Sequence, residues 1–333
     1  MKTRILYVER QPSLFVSIEK VFRQVAVSLS SNKYEYKFQQ VPYGNDSVSV
    51  LKNLLAFRAD DADIYHVTGH IHYMSLVLPP KRTALTIHDL RYLNNRTGIR
   101  KYLLKKLYFD WPLRRLRYVT AISEATRNEI LKHAPYAAEK VRVIENPLGP
   151  QYIAAESREF NTECPLILQI GTMENKNVPN LIRALEGIKC KLRIIGPLDD
   201  KISAELARTR IDHENVDHVD DEGMLAAYRD ADIIAFCSTY EGFGLPIIEG
   251  QAMRKPVVTS NISPMLEVSG MVAELIDPHD FASIRSGIQR IIADKQHRDR
   301  MVELGVENAK RFEATTIAEK YGALYDEVLE KYK

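Results

Sequence analysis

Cysteine is scarce in this chain, with three residues among 333. Cys164, Cys190 and Cys237 lack the spacing of metal ligands, and Cys164 and Cys237 lie beside or within apolar strand patterns, so we expect reduced core thiols. Long apolar runs are absent as well: no stretch approaches the ~20 residues of a membrane span, and nothing at the amino terminus is typical of a signal peptide. These absences predict a cytoplasmic protein.

The length of the chain exceeds the usual size of one hydrophobic core, so two domains of about 150 residues are expected. Two prolines and a glycine interrupt the periodic pattern at Glu145–Pro150 and mark a linker. We therefore predict one domain over residues 1–148 and a second over 149–314. The last amphipathic pattern predicts a terminal helix over about 315–333.

The small net charge of +2 conceals an asymmetry between the two parts. Up to Pro150 there are 24 lysines and arginines against 13 acids, and after it 22 against 31. A basic first domain suits an anionic partner or an anionic membrane surface. Opposite charges on the two domains would equally favour their docking, and ordinary solvated charge is the remaining explanation.

Apolar runs of strand length alternate with amphipathic stretches along both parts of the chain, which is typical of a parallel sheet wound with helices. The strands predicted in the first part are Arg4–Val8, Tyr36–Gln40, Asp63–Val67, Ala84–Ile87, Tyr118–Ala121 and Val141–Ile144. Those in the second part are Leu166–Ile170, Lys191–Ile195, Asn215–Val219, Asp232–Phe236, Pro256–Thr259 and Val272–Leu275. The sequence therefore predicts an α/β fold with two doubly wound sheets.

Two glutamates, Glu241 and Glu249, flank a glycine turn that follows an apolar strand pattern. Gly242 and Gly244 allow the backbone to approach an anion or a sugar hydroxyl closely. Pro246 suits the start of a helix and would place Glu249 in its opening turn. Two nearby carboxylates need donors, which sugar and ribose diols supply, although solvated glutamates on a tight loop are the plainer alternative.

A lysine follows the first strand of the second part in the string Gly171-Thr172-Met173-Glu174-Asn175-Lys176-Asn177, just before a helical pattern. A cation at the mouth of such a helix can neutralise a diphosphate together with the helix dipole. An ordinary surface lysine is the alternative.

The string from Glu241 to Glu249 resembles the E-x7-E signature of retaining GT-B-fold glycosyltransferases, a group that includes bacterial cell-envelope mannosyl- and glucosyltransferases. The resemblance implies two Rossmann-like domains with an interdomain cleft, and a terminal helix that crosses back to the first domain. It places Glu241 against the donor sugar and Glu249 on the ribose diol. The donor-binding residues it implies are Thr172, Lys176, Val219, Glu241, Gly242, Phe243, Gly244, Leu245 and Glu249.

The chain departs from this family in two places. Many members carry a phosphate-binding arginine where this chain has Thr172 or Asn175, which leaves more of the diphosphate charge to Lys176 and backbone groups. The first loop of the family is commonly rich in glycine, whereas Val8–Phe15 contains none.

A histidine and an aspartate, His88 and Asp89, end the fourth predicted strand, and Thr-Ile-His-Asp-Leu resembles the segment of mannosyltransferase-like members whose histidine faces the donor sugar. His88 would orient donor or acceptor hydroxyls, and Asp89 would fix its tautomer or cap the next helix. A structural histidine is the alternative. His66, His70 and His72 suggest a metal site, but GT-B enzymes generally need none, so we expect no metal and no cofactor.

Basic and aromatic residues alternate over Arg96–Arg117, as in helices that lie on a bilayer surface. The same spacing also serves a helix packed on its own sheet. A lipid-linked or anionic acceptor and contact with the inner face of the membrane are therefore expectations, and no nucleic-acid partner is expected.

Taken together, the residues and the resemblance predict a retaining, metal-independent glycosyltransferase. It would move a hexosyl group from a GDP- or UDP-sugar to an acceptor hydroxyl, in cell-envelope polysaccharide or glycolipid synthesis. Glu241, Lys176 and His88 would be its catalytic residues, with His88 and Asp89 on the acceptor side. The alternatives are a GT-B epimerase or phosphorylase, and a non-catalytic subunit that binds a nucleotide-sugar.

Overall fold

The computed structural model describes residues 2–11, 17–44, 46–94, 98–153 and 159–331. The chain divides into two compact units, the first comprising Met1–Pro147 and Ala314–Lys333 and the second Leu148–Glu313. Part of the glycine-free loop (residues 12–15), Arg96 of the basic segment and the last two residues of the terminal helix pattern lie outside the described residues.

The first unit contains a six-stranded parallel sheet with the order β2-β1-β3-β4-β5-β6. Its strands are Thr3–Glu9 (β1), Tyr34–Gln40 (β2), Ile64–Val67 (β3), Thr83–Ile87 (β4), Tyr118–Ala121 (β5) and Val141–Val143 (β6). The strand order reverses between β1 and β3.

The second unit contains another six-stranded parallel sheet, with the order β12-β11-β10-β7-β8-β9. Its strands are Leu166–Ile170 (β7), Lys191–Ile195 (β8), Asp212–Val216 (β9), Ile233–Phe236 (β10), Val257–Ser260 (β11) and Glu274–Ile276 (β12). This order is that of the dinucleotide-binding α/β fold, with its reversal between β7 and β10. The predicted pair of doubly wound sheets is confirmed.

Helices connect the strands within both units. Those of the first unit are Ser17–Ser28 (α1), Ser47–Ala56 (α2), Arg91–Asn94 (α3), Gly98–Lys105 (α4), Trp111–Arg115 (α5), Glu124–His133 (α6) and, at the end of the chain, Ala314–Glu330 (α14). Those of the second are Val178–Leu185 (α7), Asp200–Thr209 (α8), Asp221–Asp230 (α9), Leu245–Ala252 (α10), Met265–Val268 (α11), Phe281–Ala293 (α12) and Lys295–Lys310 (α13). No helix in the described ranges combines the length and the apolar character that crossing a bilayer requires.

Interior strands of both sheets are buried along their whole length, which explains their continuous apolar sequences. One predicted strand is displaced: Asn215–Val219 was expected, whereas β9 begins at Asp212 and ends at Val216. Because β9 lies at the edge of its sheet and is largely exposed, its first residues are polar, and the apolar pattern misses its start.

Aromatic side chains of α14 complete the core of the first unit. Tyr321 and Tyr325 are fully buried, and the Tyr325 hydroxyl lies 2.7 Å from Nδ1 of His66 and 3.2 Å from the Tyr7 hydroxyl. Burial lowers the pKa of His66 to about 3, so this imidazole is neutral. His66 is therefore a satisfied core residue.

The cysteines are free thiols, and two of them are buried in the second unit. Burial raises the pKa of Cys190 to about 11 and that of Cys237 to about 12, so both remain protonated. Cys164, which was also expected in a core, is only partly buried, because it lies in the turn before β7 rather than in the strand.

Candidate active site

An ion pair lies at the carboxyl edge of the second sheet, where the strand order reverses. Nζ of Lys176 is 2.7 Å from Oε1 of Glu241, and each side chain is only 14% exposed. Lys176 follows β7 and Glu241 follows β10, the two strands that flank the reversal. In open α/β sheets this crevice is where ligands bind.

Lys176 is fixed by the loop in which it lies. Gly171 has φ +83°, and a Cβ at that position would lie 3.1 Å from Cε of Lys176, so glycine leaves room for the lysine stem. The next residue after the lysine, Asn177, is left-handed with φ 60° and donates to the carbonyl of Cys237 at 3.0 Å. The ammonium group lies 4.7 Å from the centre of the Phe236 ring. These contacts hold the cation over the end of β10.

Asn175 joins the loops that follow β7 and β10. Its Nδ2 donates to the Tyr240 carbonyl at 2.8 Å and to Oε1 of Glu241 at 3.2 Å, while its own carbonyl accepts from the Thr239 amide at 2.8 Å. Its side chain is buried. The sequence pointed to Asn175 only as a position without arginine, and the asparagine beside Lys176 was the available signal for this bridging role.

The glycine turn after Glu241 leads directly into α10. Gly244 precedes the helix with φ +118°, a conformation that side chains strain to adopt. Phe243 is buried, and its ring lies edge-on to Phe312 at 5.6 Å between centroids. The Phe243 side chain therefore anchors the turn, while Leu245, the first residue of α10, is partly exposed.

Glu249 lies in the second turn of α10, which corrects the expectation that it would occupy the first. The helix begins at Leu245, one residue before the proline, so the glutamate is its fifth residue. Oε2 of Glu249 accepts a hydrogen bond of 2.5 Å from the Tyr228 hydroxyl. Burial and the nearby Glu249 carboxylate raise the pKa of Tyr228, so it remains a donor.

Two further residues of the predicted donor set lie in loops at the carboxyl edge. Thr172 follows Gly171, and its Oγ1 is 3.1 Å from the place that a Cβ on Gly196 would occupy, at the end of β8. Val219 lies in the loop between β9 and α9 and is partly exposed.

His88 and Asp89 lie in the first unit, directly after β4. His88 is 4% exposed, and burial lowers its pKa well below the usual value. Asp89 accepts from the Arg91 amide at 3.0 Å and so caps α3, one of its two predicted roles. Its other oxygen lies 3.5 Å from Nε2 of His70.

The remaining histidines of the first unit make ordinary protein contacts. Nδ1 of His72 lies 2.9 Å from the Tyr108 carbonyl, and His66 contacts Thr86 and Tyr325 through its two ring nitrogens. Across the described ranges, His, Cys, Asp and Glu side chains form no group of three or more that could hold a metal ion.

Comparison with known proteins identifies two family domains. Residues 153–308 match the model described as glycosyl transferases group 1, and residues 32–151 match the glycosyltransferase family 4 model. The O-antigen chain mannosyltransferase B of Escherichia coli is 27% identical over 273 residues, which are 72% of this chain and 70% of that protein.

Solved structures share the fold of the whole chain. The sucrose-phosphate synthase of Thermosynechococcus elongatus superposes with a TM-score of 0.82 at 16% identity, covering 99% of this chain and 100% of that one. HepE of Anabaena, crystallised with UDP and glucose, gives a TM-score of 0.76 at 16% identity and covers 98% of this chain and 100% of that one.

Proposed function

Because this chain belongs to the GT-B-fold glycosyltransferases with family 4 and group 1 domains, we propose that it is a retaining, metal-independent mannosyltransferase. It would move mannose from a nucleoside diphosphate to a hydroxyl of a growing cell-envelope polysaccharide. The name of the related O-antigen mannosyltransferase supports the choice of sugar and product.

The Lys176–Glu241 pair is the observation that carries this proposal. A carboxylate that accepts sugar hydroxyls and an ammonium group that neutralises a diphosphate are the two groups that a nucleotide-sugar needs at its reacting end. Here they are in contact at the reversal of the strand order. Bound donor would take hydrogen-bonding capacity from both partners and occupy the place where they meet.

In the proposed reaction, the bond between C1 of the sugar and the diphosphate oxygen breaks, and a bond from C1 to the acceptor oxygen forms on the same face. The acceptor proton passes to the departing diphosphate oxygen. Lys176 and the amides of Gly242 to Gly244 would stabilise the negative charge that grows on the diphosphate, and Glu241 would hold the sugar. Lys176 would do the work for which other enzymes use a metal ion, while Thr172, Val219 and Leu245 would line the nucleotide.

The decisive experiment incubates purified protein with GDP-mannose, UDP-glucose or UDP-N-acetylglucosamine, with and without mannoside acceptors and with and without EDTA. We expect acceptor-dependent release of nucleoside diphosphate from one donor, unaffected by EDTA, and an α-linked product by proton NMR. Epimer formed without acceptor would indicate an epimerase, and nucleotide binding without turnover would indicate a regulatory subunit. Either result would contradict the proposal.

We expect Glu249→Ala to weaken nucleoside diphosphate binding by about 10- to 100-fold, because hydrogen bonds to a charged carboxylate contribute about 1.5–3 kcal/mol each. Tyr228→Phe should weaken it by a few-fold, because the hydroxyl that holds Glu249 is lost. Isothermal titration with GDP and UDP measures both effects. Glu174→Ala is the control, because that side chain is 91% exposed. Equal affinities in all three variants would exclude Glu249 from the ribose site.

We also propose that the surface formed by α4 and α5 contacts an anionic bilayer. Tyr102, Leu103 and Trp111 are 59%, 57% and 50% exposed there, and Arg114 and Arg117 are exposed on α5 and just after it. Apolar side chains flanked by cations are what an interfacial element needs.

The tryptophan in this surface reports contact directly, because Trp111 is the single tryptophan of the chain. We expect phosphatidylglycerol vesicles, but not phosphatidylcholine vesicles, to shift its emission to the blue. The double variant Tyr102→Ser/Leu103→Ser should bind about tenfold more weakly, whereas Leu51→Ser, an exposed residue of α2, should bind like wild type. Unchanged emission with anionic vesicles would remove the membrane proposal.

A further inference from the structure

Three buried polar atoms of the first unit have no hydrogen-bond partner among the residues that the structure describes. They are Nε2 of His72, Nε2 of His88 and the hydroxyl of Tyr92. His72 is fully buried and His88 is 4% exposed. Leaving buried polar atoms unpaired is costly, so each such atom in a folded protein needs an explanation.

The three side chains belong to one cluster. The His72 ring lies 5.9 Å from the Tyr92 ring, and the ring of His70 lies 6.2 Å from that of His72 and 6.4 Å from that of His88. Asp89 adds a carboxylate beside His70 at 3.5 Å. The cluster is therefore a continuous polar patch inside the unit.

Topology places this cluster where a ligand is expected. His70 and His72 follow β3, His88 follows β4, and Tyr92 lies on α3. The strand order of the first sheet reverses at β3, on its border with β1. Ligands of open α/β sheets bind outside the carboxyl ends of the strands at such a reversal.

The hydrogen-bonding character of the cluster can be assigned atom by atom. Nδ1 of His72 faces the Tyr108 carbonyl at 2.9 Å and must carry the hydrogen, because a carbonyl only accepts. Burial lowers the pKa of His72 to about 3, so its Nε2 is a bare acceptor. Burial also raises the pKa of Tyr92, which keeps its hydroxyl protonated as both donor and acceptor.

The groups in this cluster suit hydroxyls and do not suit an anion. An acceptor nitrogen and a carboxylate would repel a phosphate, and the nearby cation Arg10 is already paired with Glu19 at 2.6 Å. Sugar hydroxyls both donate and accept, which matches His72, Tyr92 and Asp89.

We propose that His72, His88 and Tyr92 form a subsite for an uncharged polyhydroxy ligand, namely the sugar that accepts the transferred group. This inference rests on the proposed function and narrows it, because it selects a neutral glycan over the anionic acceptor that the basic charge of this part of the chain suggested. His72 and Tyr92 are specificity residues that the sequence motifs did not indicate.

The test measures binding of the methyl α-glycosides of mannose, glucose and galactose by saturation-transfer NMR, with mannose 6-phosphate as the charged probe. We expect at least one neutral glycoside to bind, and mannose 6-phosphate to bind no more tightly. Tyr92→Phe, which removes only the hydroxyl, should weaken the neutral probe by at least tenfold and leave UDP and GDP affinity unchanged. Tyr118→Phe is the matched control, because its hydroxyl contacts only the Glu327 carbonyl among the hydrogen bonds assigned to it, at 3.4 Å.

Each alternative outcome is decisive. Absence of binding by all three glycosides, tighter binding of mannose 6-phosphate, or wild-type binding by Tyr92→Phe overturns the subsite. The assay is independent of turnover, so it separates the two proposals. Tyr92-dependent glycoside binding without nucleotide-sugar consumption would retain the subsite and reject the transferase, and turnover with an unchanged acceptor KM in Tyr92→Phe would do the reverse.

Discussion

Lys176→Ala is expected to lower kcat by about 100- to 1000-fold, the loss typical of removing one preorganised group that stabilises transition-state charge. The ammonium group lies 2.7 Å from Glu241 and is held over the Phe236 ring, so no reorganisation is needed for it to meet a departing diphosphate. Nucleotide affinity should fall much less, because the diphosphate carries its full charge only as it leaves. Single-turnover kinetics and isothermal titration separate the two quantities.

Lys201→Ala provides the control for this variant. Lys201 is 79% exposed on α8 and lies 4.0 Å from Glu174, so its loss should change neither rate nor affinity measurably. A Lys176→Ala enzyme that keeps more than a tenth of the wild-type kcat would show that backbone amides alone carry the diphosphate charge.

Most of the fold could be predicted because interior parallel strands are apolar on both faces. β5, β7 and β8 have the predicted bounds, and β10 begins one residue later than expected. β9 was displaced by three residues, since an exposed edge strand such as Asp212–Val216 carries polar residues that do not distinguish it from a loop. Sequence pattern reports burial, and it loses information where burial ends.

The candidate active site could be predicted in part. Lys176 and Glu241 were both assigned to it, because short-range features, a loop after a strand and a glycine turn, place each at the carboxyl edge. Their direct contact and the bridging by Asn175 depend on β7 and β10 being neighbours, and that pairing joins segments 65 residues apart in sequence. The partner of Glu249, Tyr228 on α9, depends in the same way on how α9 lies against α10.

The cluster in the first unit was beyond the reach of motif reasoning for a different reason. His72 and His88 were noticed as residue types, but an unpaired acceptor atom is a property of the packed environment, and Tyr92 has no local signal at all. Only the assigned contacts, such as Nδ1 of His72 against the Tyr108 carbonyl, determine which ring nitrogen remains for a ligand.

Gly244→Ala is expected to reduce activity by about 100-fold, because displacing catalytic groups by about 1 Å has effects of that size. The glycine has φ +118°, and an added Cβ would lie 3.0 Å from Cδ1 of Ile247 and 3.4 Å from the Phe236 ring. Relief of this strain would move the turn between Glu241 and α10, and with it the amides proposed to face the diphosphate. Steady-state kinetics and the midpoint of urea unfolding should both be measured.

Gly187→Ala separates backbone strain from damage to the site. Gly187 also has a positive φ, +78°, but a Cβ there meets no atom within 4 Å, and the residue follows α7 at its far end from Lys176. Both alanines should destabilise the fold, by about 1–2 kcal/mol for a left-handed residue, but only Gly244→Ala should lose activity. Equal activities in the two variants would mean that the turn after Glu241 does not position the donor, and the proposed contribution of its amides would have to be abandoned.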